Sequence, residues 1–544
     1  MHKIGRHVYN SLARVISVEK SISRPRESMY PRQPRSYNDY QRRRAPNVFA
    51  EITEAGATVG GKHLMNIMPG PFSGQLESLR QFECPQWFRD AKLGIWSHWG
   101  PQSVPMFGDW YARNLYIEGS EQYRHHLRVY GHPSKVGYKD LLPLWKAENF
   151  DPHGLMNLLV RAGAKYFFAQ AMHHDNFDNF DSAHNRWNSV KLGPVSDIVG
   201  RWREAAAAHG LPFCLSEHLG ASFNWFAVSK GADKKGPYAG VPYDGSLPEL
   251  QDLYHDNARH FALHGEQCFG DHWYTDSPAF AQHWFLRMKD VIDKYQPDGI
   301  YSDGFIPFGE VGLSLIAHLY NTSAARNGGV NRAIYTQKDT DPSVFTVGIL
   351  DIERGQVDHS AEHPWQTDTS FGDWFYNVKD VYKTPHEIVE TLVDIVSKNG
   401  NLLINVPQRP DGAIDEECNY VLEQMADWVK VNGDGIFGSR PWTNAAEGSS
   451  TAKGGSFNEA RVDWTPDDFR FTTKGDAVYV YQMAAAETGI ARIRSLAKGG
   501  GRHVARVRKL GAGPLPFTQT TAGLHVTLGP PSAFGPQGIA VEFE

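Results

Sequence analysis

The chain has 544 residues, a length that fits several folding units or one large barrel with a smaller accessory domain. Hydrophobic residues make up 41% of the sequence and charged residues 21%, which excludes disordered, collagen-like and coiled-coil chains. The net charge of −6 gives no attractive field for a polyanion, so we expect no nucleic-acid partner. The sequence contains no run of about 18 apolar residues, and its four cysteines are scattered. We therefore expect no membrane span and no disulfide framework.

The first 50 residues differ in composition from the rest of the chain, and we predict that they form a basic, disordered leader. Residues 1–44 contain eleven Lys or Arg against three acidic residues. A secretory signal requires an apolar run of about 7–15 residues after its positive start, and this stretch has none. We see no export signal here, and the sequence leaves the cellular location open.

From about residue 85, apolar runs of strand length alternate with amphipathic helical patterns. The predicted strands are Leu93–Trp96, Ala164–Ala171, Pro212–Leu215, Gly299–Tyr301 and Leu402–Ile404. The predicted helices cover 151–161, 196–209, 284–295 and 387–398. Strands that alternate with helices in this way are typical of parallel sheets, so we predict a TIM-like (β/α) barrel over residues 80–442.

After residue 442 the sequence changes to short alternating stretches separated by Gly, Ser and Thr. Residues 469–473 and 477–481 read as two strands joined by a hairpin turn at Lys474-Gly475-Asp476. We therefore predict an antiparallel β-sandwich over residues 443–544. We expect it to buttress the barrel rather than to bind carbohydrate.

Ionisable side chains follow several of the predicted strands directly. They are His98, the pair His173-His174, the pair Glu217-His218, and Asp303. In a barrel the C-terminal ends of all strands meet on one face, where the loops build the active site. The sequence therefore predicts a site of imidazoles and carboxylates at the barrel mouth.

Several longer segments occur in a fixed order between about residues 80 and 445. They include Trp87–Gly100 (WFRDAKLGIWSHWG), Gly108–Asn114 (GDWYARN), Tyr295–Gly304 (YQPDGIYSDG) and Ser397–Val406 (SKNGNLLINV). These segments resemble the α-L-fucosidases of glycoside hydrolase family 29. The resemblance implies retaining hydrolysis of terminal α-L-fucosyl residues by double displacement, with a fucosylated oligosaccharide or glycoconjugate as partner and no metal or other cofactor. Such enzymes commonly act in the periplasm, outside the cell or in lysosomes. The oligomeric state stays open.

The resemblance also assigns roles to individual residues. Asp303 matches the nucleophile. The residues assigned to substrate binding are His98, Asp109, Trp110, His173, His174, His218, Tyr301, Arg354 and Trp374. Asp109 stands where the family commonly has a Glu, which shortens its reach by one methylene. The methyl group of a 6-deoxy sugar needs an aromatic wall, and the rings available for it are Trp99, Tyr301, Trp365, Phe371 and Trp374.

The acid/base is where the sequence departs from the family pattern. Many members carry a Glu after the Trp of a Pro-Trp-Glu-Thr-like segment, and here that position is Gln366, which cannot exchange a proton at useful pH. We predict Glu353 as the acid/base, with Glu217 and Asp368 as alternatives. The neighbouring Arg354 would lower the pKa of Glu353 if the two paired, whereas a catalytic acid needs a raised pKa.

Three other functions stay open at this point. His98, His173, His174 and Asp303 offer donors that also suit a metal-dependent hydrolase. A relative that kept the sugar pocket and lost its acid would bind sugar without turnover. An α-L-galactosidase would use the same mechanism, because L-galactose differs from L-fucose by one hydroxyl on C6.

Overall fold

The structure is a computed structural model that describes residues 66–269, 272–499, 502–529 and 535–544. It also describes a short antiparallel strand pair, Thr58–Val59 with Lys62–His63. The basic leader predicted for residues 1–50 lies outside the described residues. Within the described ranges, no helix has both the length and the apolar character needed to cross a bilayer.

Eight parallel strands close into a barrel. They are β1 Leu93–Ser97, β2 Tyr166–Met172, β3 Phe213–Glu217, β4 Gly299–Ser302, β5 Ile334–Gln337, β6 Ile349–Asp351, β7 Trp365–Ser370 and β8 Gly400–Asn405. Each strand pairs with its neighbours in sequence, and β8 closes the barrel by pairing Leu402 with Leu93 of β1. The predicted (β/α) barrel is confirmed.

In the part of the chain that the structure describes, six long helices accompany the strands. They are α1 Pro152–Arg161, α2 Ile198–Ala208, α3 Pro278–Tyr295, α4 Glu310–Arg326, α5 Pro385–Ser397 and α6 Glu416–Asn432. The sequence fixes several of their starts. The Asp197 side chain caps α2 by accepting a hydrogen bond from the Gly200 N–H, and Thr384 and Glu387 form a capping box at the start of α5.

Shorter helices fill the loops between these elements. The short α-helices are Leu76–Leu79, Gln86–Ala91, Tyr111–Asn114, Glu121–Val129, Tyr138–Leu141, Ser222–Trp225, Gln251–Tyr254, Ala258–His264 and Pro342–Phe345. The 3₁₀ turns are Pro101–Ser103, Leu142–Leu144, Leu219–Ala221, Phe226–Lys230, Asp244–Ser246, Pro248–Leu250, Gly265–Gln267, Gly433–Gly435 and Arg494–Leu496. Most of them lie in the loops after β1 and β3, on the side of the barrel where the strands end.

Side chains alternate along the strands between the barrel lumen and the surrounding helices. Trp96, Phe168 and Tyr301 belong to one buried cluster inside the lumen. A Cβ at Gly94, on the same face of β1 as Trp96, would lie 2.3 Å from the ring of Tyr166. Glycine at this position therefore leaves the space that the Tyr166 ring fills.

Among the described elements, three barrel strands and two of the long helices, α4 and α6, had no predicted counterpart. Strands β5, β6 and β7 are short or polar, and β7 reads Trp-Gln-Thr-Asp-Thr-Ser although all six of its residues are buried. Helix α4 is buried over most of its surface, so its sequence lacks the single apolar stripe that marks an amphipathic helix.

The C-terminal strands form two antiparallel sheets. They are β9 Arg440–Glu447, β10 Phe469–Lys474, β11 Ala477–Gln482, β12 Ile490–Ile493, β13 Val504–Lys509, β14 Phe517–Thr520, β15 Gly523–Thr527 and β16 Gln537–Phe543. The larger sheet has the order β9-β10-β11-β16-β13 and the smaller the order β12-β15-β14. Phe471 and Val480 of the larger sheet share a buried cluster with Ile493 and Leu524 of the smaller, which confirms the predicted sandwich.

The second face of the larger sheet packs against the barrel. The Tyr481 hydroxyl donates to the Asn432 carbonyl at the end of α6, at 2.7 Å. The guanidinium of Arg470 pairs with Asp394 on α5, and both side chains are 1% exposed. Strand β9 begins at Arg440, so it crosses the division predicted between residues 442 and 443. This interface supports the proposal that the sandwich buttresses the barrel.

Candidate active site

The predicted site residues lie together at the end of the barrel where the strands terminate. His98 follows β1, His173 and His174 follow β2, His218 follows β3, and Asp303 follows β4. The loop after β1 carries Asp109 and Trp110, Glu353 and Arg354 follow β6, and Trp374 follows β7. Because the strands of a closed parallel barrel all end on one face, these segments form a single mouth.

Four imidazoles form a packed cluster at this mouth. The ring centroid of His98 lies 4.8 Å from those of both His173 and His218, and His173 lies 4.5 Å from both His174 and His218. Burial lowers the pKa of His98 and His173 well below the ordinary value and lowers that of His218 to about 3. Neutral imidazole offers one donor and one acceptor, which suits a pair of sugar hydroxyls. Within the described ranges, neither ring nitrogen of His98 has a hydrogen-bond partner.

Neighbouring groups orient the rings of His173 and His174 and fix the tautomer of His173. The Gln102 Oε1 accepts from the Ala112 N–H at 3.3 Å, so the Gln102 amide nitrogen donates to His173 Nδ1 at 2.8 Å and leaves the His173 proton on Nε2. His174 lies between two acceptors. Its Nδ1 is 2.5 Å from the His218 carbonyl and its Nε2 is 3.3 Å from Asp303 Oδ2, so both ring nitrogens are engaged.

Asp303 is held between two basic groups. Its Oδ1 accepts from Lys338 Nζ at 2.8 Å, and its Oδ2 faces His174. Its carbonyl oxygen lies 3.2 Å from both Trp273 Nε1 and the Tyr274 hydroxyl. Burial acts to raise the pKa of Asp303, but the charge of Lys338 and the hydrogen bond from His174 outweigh burial and hold the pKa well below its ordinary value. Asp303 is therefore an ionised carboxylate with a fixed orientation.

Glu353 contacts the same lysine and has the opposite electrostatic character. Its Oε2 accepts a hydrogen bond from Lys338 Nζ. Burial raises the pKa of Glu353 to about 7. Lys338 opposes this effect, and the charges of Asp368 and Asp303 add to it. Two carboxyl groups at one mouth with pKa values moved in opposite directions are the arrangement that acid/base catalysis requires.

Lys338 is a charged site residue that the sequence analysis missed. It directly follows β5, its side chain is 7% exposed, and its Nζ contacts both Asp303 and Glu353. Despite burial, these carboxylates raise the pKa of Lys338 well above its ordinary value. The signal that could have found it is the one that identified Asp303, an ionisable residue at the end of a barrel strand, but β5 itself had not been predicted.

Gln366 and Asp368 lie on β7 and point into the lumen. Gln366 donates to Asp351 Oδ1 and accepts from the Tyr166 hydroxyl, both at 2.8 Å. Asp368 accepts from the Tyr301 hydroxyl at 2.9 Å and lies 3.9 Å from Lys338 Nζ. The amide at position 366 therefore serves a hydrogen-bond network below the mouth.

Glu217 faces the helices around the barrel. Its carboxylate accepts hydrogen bonds from Ser302 Oγ at 2.7 Å and from Trp284 Nε1 and the Gly220 N–H at 3.1 Å. Trp284 belongs to α3, so this carboxylate lies between β3 and that helix. Three donors on one buried carboxylate indicate a structural role.

Asp109 and Trp110 lie in the loop after β1, next to Asp373 and His174. The Asp109 N–H donates to Asp373 Oδ2 at 3.4 Å, and burial together with the charge of Asp373 raises the pKa of Asp109 well above its ordinary value. When protonated, Asp109 can donate a hydrogen bond as well as accept one. The Trp110 ring meets the His174 ring edge-on at 6.1 Å, from a backbone with φ of 57°.

Arg354 turns its guanidinium away from Glu353. The guanidinium carbon lies 4.8 Å from the centroid of the Trp374 ring, and one nitrogen donates to the Gly372 carbonyl at 2.8 Å. A second nitrogen lies 3.7 Å from Glu459. Arg354 thus makes its ion pair with a different acid, which is consistent with the raised pKa of Glu353.

Two of the five candidate aromatic walls reach the site. Tyr301 and Trp374 lie 4.9 and 5.4 Å from the ring of Trp96, which also contacts the His98 and His218 rings and was not assigned a role from the sequence. The other three candidates lie elsewhere: Trp99 packs on Trp145, Trp365 donates to the Lys398 carbonyl, and Phe371 belongs to the outer core.

The positions of the imidazoles can be compared with those that a metal-dependent hydrolase would require. Among the described residues, one set of three or more potential metal ligands has its donor atoms within 4.8 Å of one another. This set is His98, His173 and His218. This set differs from the one suggested by the sequence, because His174 is engaged by Asp303 and the His218 carbonyl. The proton that Gln102 leaves on His173 Nε2 makes that ring a donor, which suits a hydroxyl better than a metal ion.

Comparisons with known proteins identify the family of the chain. A family model described as alpha-L-fucosidase matches residues 64–434. The tissue alpha-L-fucosidase of Rattus norvegicus is 28% identical over 455 residues, which cover 82% of this chain and 85% of that protein. The tissue alpha-L-fucosidase of Homo sapiens is 27% identical over 441 residues, which cover 78% and 81%.

Solved structures share the fold. The crystal structure of Thermotoga maritima alpha-fucosidase in complex with fucose has a TM-score of 0.66 at 23% identity and covers 86% of this chain and 100% of that chain. A Paenibacillus thiaminolyticus alpha-L-fucosidase isoenzyme has a TM-score of 0.61 at 20% identity, with 86% and 100% covered. Because the family model spans more than half of this chain, the chain belongs to the alpha-L-fucosidase family and is a glycoside hydrolase.

Proposed function

We propose that the protein hydrolyses terminal α-L-fucosyl residues of fucosylated oligosaccharides or glycoconjugates with retention of anomeric configuration. Asp303 acts as the nucleophile and Glu353 as the acid/base. The observation that carries this proposal is the contact of both carboxyl groups with Lys338. Asp303 Oδ1 lies 2.8 Å from Lys338 Nζ, and Glu353 Oε2 is hydrogen-bonded to the same nitrogen.

This shared contact limits the distance between the two carboxyl groups. Two oxygens that both hydrogen-bond one nitrogen are less than about 5.5 Å apart. Retaining glycosidases hold their carboxyl groups about 5–5.5 Å apart, whereas inverting enzymes need about 6.5–9.5 Å to admit a water molecule. The spacing supports double displacement over inversion.

In the first step, the carboxylate of Asp303 forms a bond to the anomeric carbon as the glycosidic C–O bond breaks. Glu353 gives its proton to the departing oxygen, which leaves as an alcohol. The pKa of about 7 provides the protonated form near neutral pH. The lowered pKa of Asp303 keeps the nucleophile ionised under the same conditions.

In the second step, the carboxylate of Glu353 takes a proton from water while the water oxygen bonds to the anomeric carbon. The bond from this carbon to Asp303 breaks, and both carboxyl groups return to their starting states. Lys338 contacts both groups, so its positive charge lies next to whichever carboxylate is ionised. We propose that Lys338 stabilises Asp303 in the free enzyme and Glu353 in the glycosyl-enzyme.

The side chains around these carboxyl groups match a small sugar with several hydroxyls. His98 presents a neutral imidazole donor and acceptor, His173 presents its Nε2 donor, and Asp109, when protonated, adds a further donor. Trp374 and Tyr301 supply the aromatic faces for the methyl group of a 6-deoxy sugar. Arg354, stacked on Trp374, contributes a fixed cation at the rim.

The presence of Glu353 at the mouth favours a catalytically active enzyme over a relative that binds sugar without turnover. The argument for lost catalysis is that Gln366 occupies the position of the usual Glu. That residue, however, lies in the hydrogen-bond network of the lumen with Asp351. Glu353 supplies a carboxyl with a suitable pKa at the mouth. An apolar pocket rejects an added hydroxyl only weakly, so α-L-galactosides are included in the test.

The test measures turnover of aryl α-L-fucoside and aryl α-L-galactoside by the wild type, Asp303→Ala and Glu353→Ala, with and without azide. We expect Asp303→Ala to be inactive and azide to restore turnover with a β-fucosyl azide product, because azide replaces the nucleophile. Glu353→Ala should keep the first step on an activated aryl fucoside and give the α-azide, because azide replaces the base-assisted water. Reversed azide configurations, or a Glu353→Ala variant with wild-type rate on a poor leaving group, would contradict the assignments.

A further inference from the structure

We propose that the connector between β9 and β10, residues 448–468, is part of the active site and that Glu459 is a positioning residue for the acid/base segment Ile352–Gln356. This inference rests on the proposed role of Glu353. The connector belongs to the C-terminal sheets, about 100 positions after Glu353 in the chain. It therefore gives the sandwich a direct part in leaving-group departure in addition to its contact with the barrel.

Backbone hydrogen bonds hold the acid/base segment between β7 and the connector. On one side, the Ile352 and Arg354 N–H groups donate to the carbonyls of Gln366 and Asp368 at 2.9 and 2.8 Å. On the other side, three donor groups come from the connector. The Gly455, Phe457 and Glu459 N–H groups donate at 2.8 Å to the carbonyls of Gln356, Glu353 and Arg354, respectively. The connector thus contacts this segment through three backbone hydrogen bonds, and Gln356 and Gly455 form an isolated antiparallel bridge.

Glycine allows the two backbones to approach this closely. A Cβ at Gly355 would lie 2.0 Å from the Gly455 carbonyl oxygen and 3.2 Å from Ser456 Cα. The φ of Gly355 lies outside the left-handed region, so its own backbone tolerates alanine. Gly355→Ala therefore separates the connector from the acid/base segment without straining residue 355 itself.

Glu459 holds the positively charged side chain of Arg354 in place. Its carboxylate lies 3.7 Å from Arg354, 3.2 Å from Lys383 Nζ, and 2.9 and 3.0 Å from Thr369 Oγ1. This network keeps the guanidinium of Arg354 over Trp374 and away from Glu353. Without the charge of Glu459, Arg354 is free to approach Glu353, and a guanidinium beside a carboxyl lowers its pKa.

The test compares wild type, Gly355→Ala, Glu459→Gln and Glu353→Gln on an activated aryl fucoside and on a fucoside with a poor leaving group. Gly513→Ala is the matched control, because an added Cβ there meets no atom within 4 Å. The poor leaving group depends on proton donation and the activated one does not. We expect Gly355→Ala to lower the ratio of kcat/KM for poor over activated substrate by about 10–100-fold, since displacement of a catalytic group by about 1 Å can cost 100-fold.

Glu459→Gln should lower the same ratio by about 10-fold and move the basic limb of the pH profile to lower pH. If Gly355→Ala does not fold, Glu459→Gln decides the question. Suppose that Glu353→Gln shows the selective loss on the poor leaving group. Equal losses on both substrates in Gly355→Ala and Glu459→Gln, or no loss in either variant, would then overturn the inference. If Glu353→Gln itself shows no selective loss, the proposed acid/base fails instead, so the two failures are distinguishable.

Discussion

Replacing Lys338 with methionine should move the basic limb of the pH profile of kcat/KM to higher pH. In the double-displacement scheme this limb reports loss of the proton from Glu353, whose pKa is about 7 in the intact site. Lys338 opposes burial and lowers this pKa, so its removal raises the pKa and keeps Glu353 protonated to higher pH. The sign follows because a nearby cation favours the ionised carboxylate.

The size of the shift follows from the geometry. Two unit charges about 4 Å apart interact by about 4 kcal/mol at an effective dielectric constant of 20. One pKa unit corresponds to about 1.36 kcal/mol, so the upper limit is about three units. Burial of both side chains, 7% and 11% exposed, argues against strong screening by solvent. We expect the limb to move by about one to three pH units.

The assay is kcat/KM for an aryl α-L-fucoside between about pH 4 and pH 10, with Lys338→Arg as the charge-conserving control. The arginine variant should keep its basic limb near that of the wild type. Thermal unfolding of each variant checks that the fold is retained. A basic limb that stays in place in Lys338→Met, or that moves to lower pH, would refute the electrostatic account of Glu353.

Three further predictions test other parts of the structure. Gln366→Glu should give no gain on poor leaving groups and should destabilise the fold by about 1–3 kcal/mol, measured by denaturant unfolding, because it adds a carboxyl beside buried Asp351. His98→Asn should lower kcat/KM about 10–100-fold by removing buried hydrogen bonds to the sugar, measured together with fucose inhibition. Arg470→Met should cost about 1–3 kcal/mol because it removes one of the two cations that pair with buried Asp394, the other being Lys398, whereas half-exposed Arg508→Met should cost at most about 1 kcal/mol.

The pairing of Arg470 with Asp394 also predicts a pH dependence of stability. Burial acts to raise the pKa of Asp394, but Arg470 and Lys398 outweigh it and the net pKa is lowered. A carboxyl whose folded pKa is depressed stabilises the fold above its unfolded pKa, and this contribution disappears as the pH falls through the folded value. Acid unfolding of wild type should therefore include a component that is smaller in Arg470→Met, where Lys398 alone of these two cations remains.

The sequence predicted those parts of the fold that follow local rules. Strands β1 to β4 and β8 are apolar runs, and α2 and α5 begin at residues that cap helices. Strand β7 was missed because its buried side chains are polar and bond to one another inside the lumen, as Asp368 does with Tyr301. Polarity normally marks exposure, and a hydrogen-bonded lumen is the exception.

The site shows the same division between local and long-range information. Side chains that follow apolar strands, such as Asp303 and His98, were found from position alone. Lys338 was missed because β5 was missed. The Glu459 contact with Arg354 joins segments about 100 residues apart, and no local pattern encodes such a contact. Residue spacing could place Glu353 near the mouth, but its raised pKa depends on burial and on three neighbouring charges.

The central claim is that Asp303 becomes covalently bonded to the sugar. The direct measurement is mass spectrometry of peptides from enzyme inactivated with a 2-deoxy-2-fluoro-α-L-fucosyl donor that carries a good leaving group. The account predicts one added fluorofucosyl group on the peptide that contains Asp303, and none on that peptide in Asp303→Ala. A label on Glu353, on Asp368 or on any other residue, or full turnover by Asp303→Ala, would contradict it.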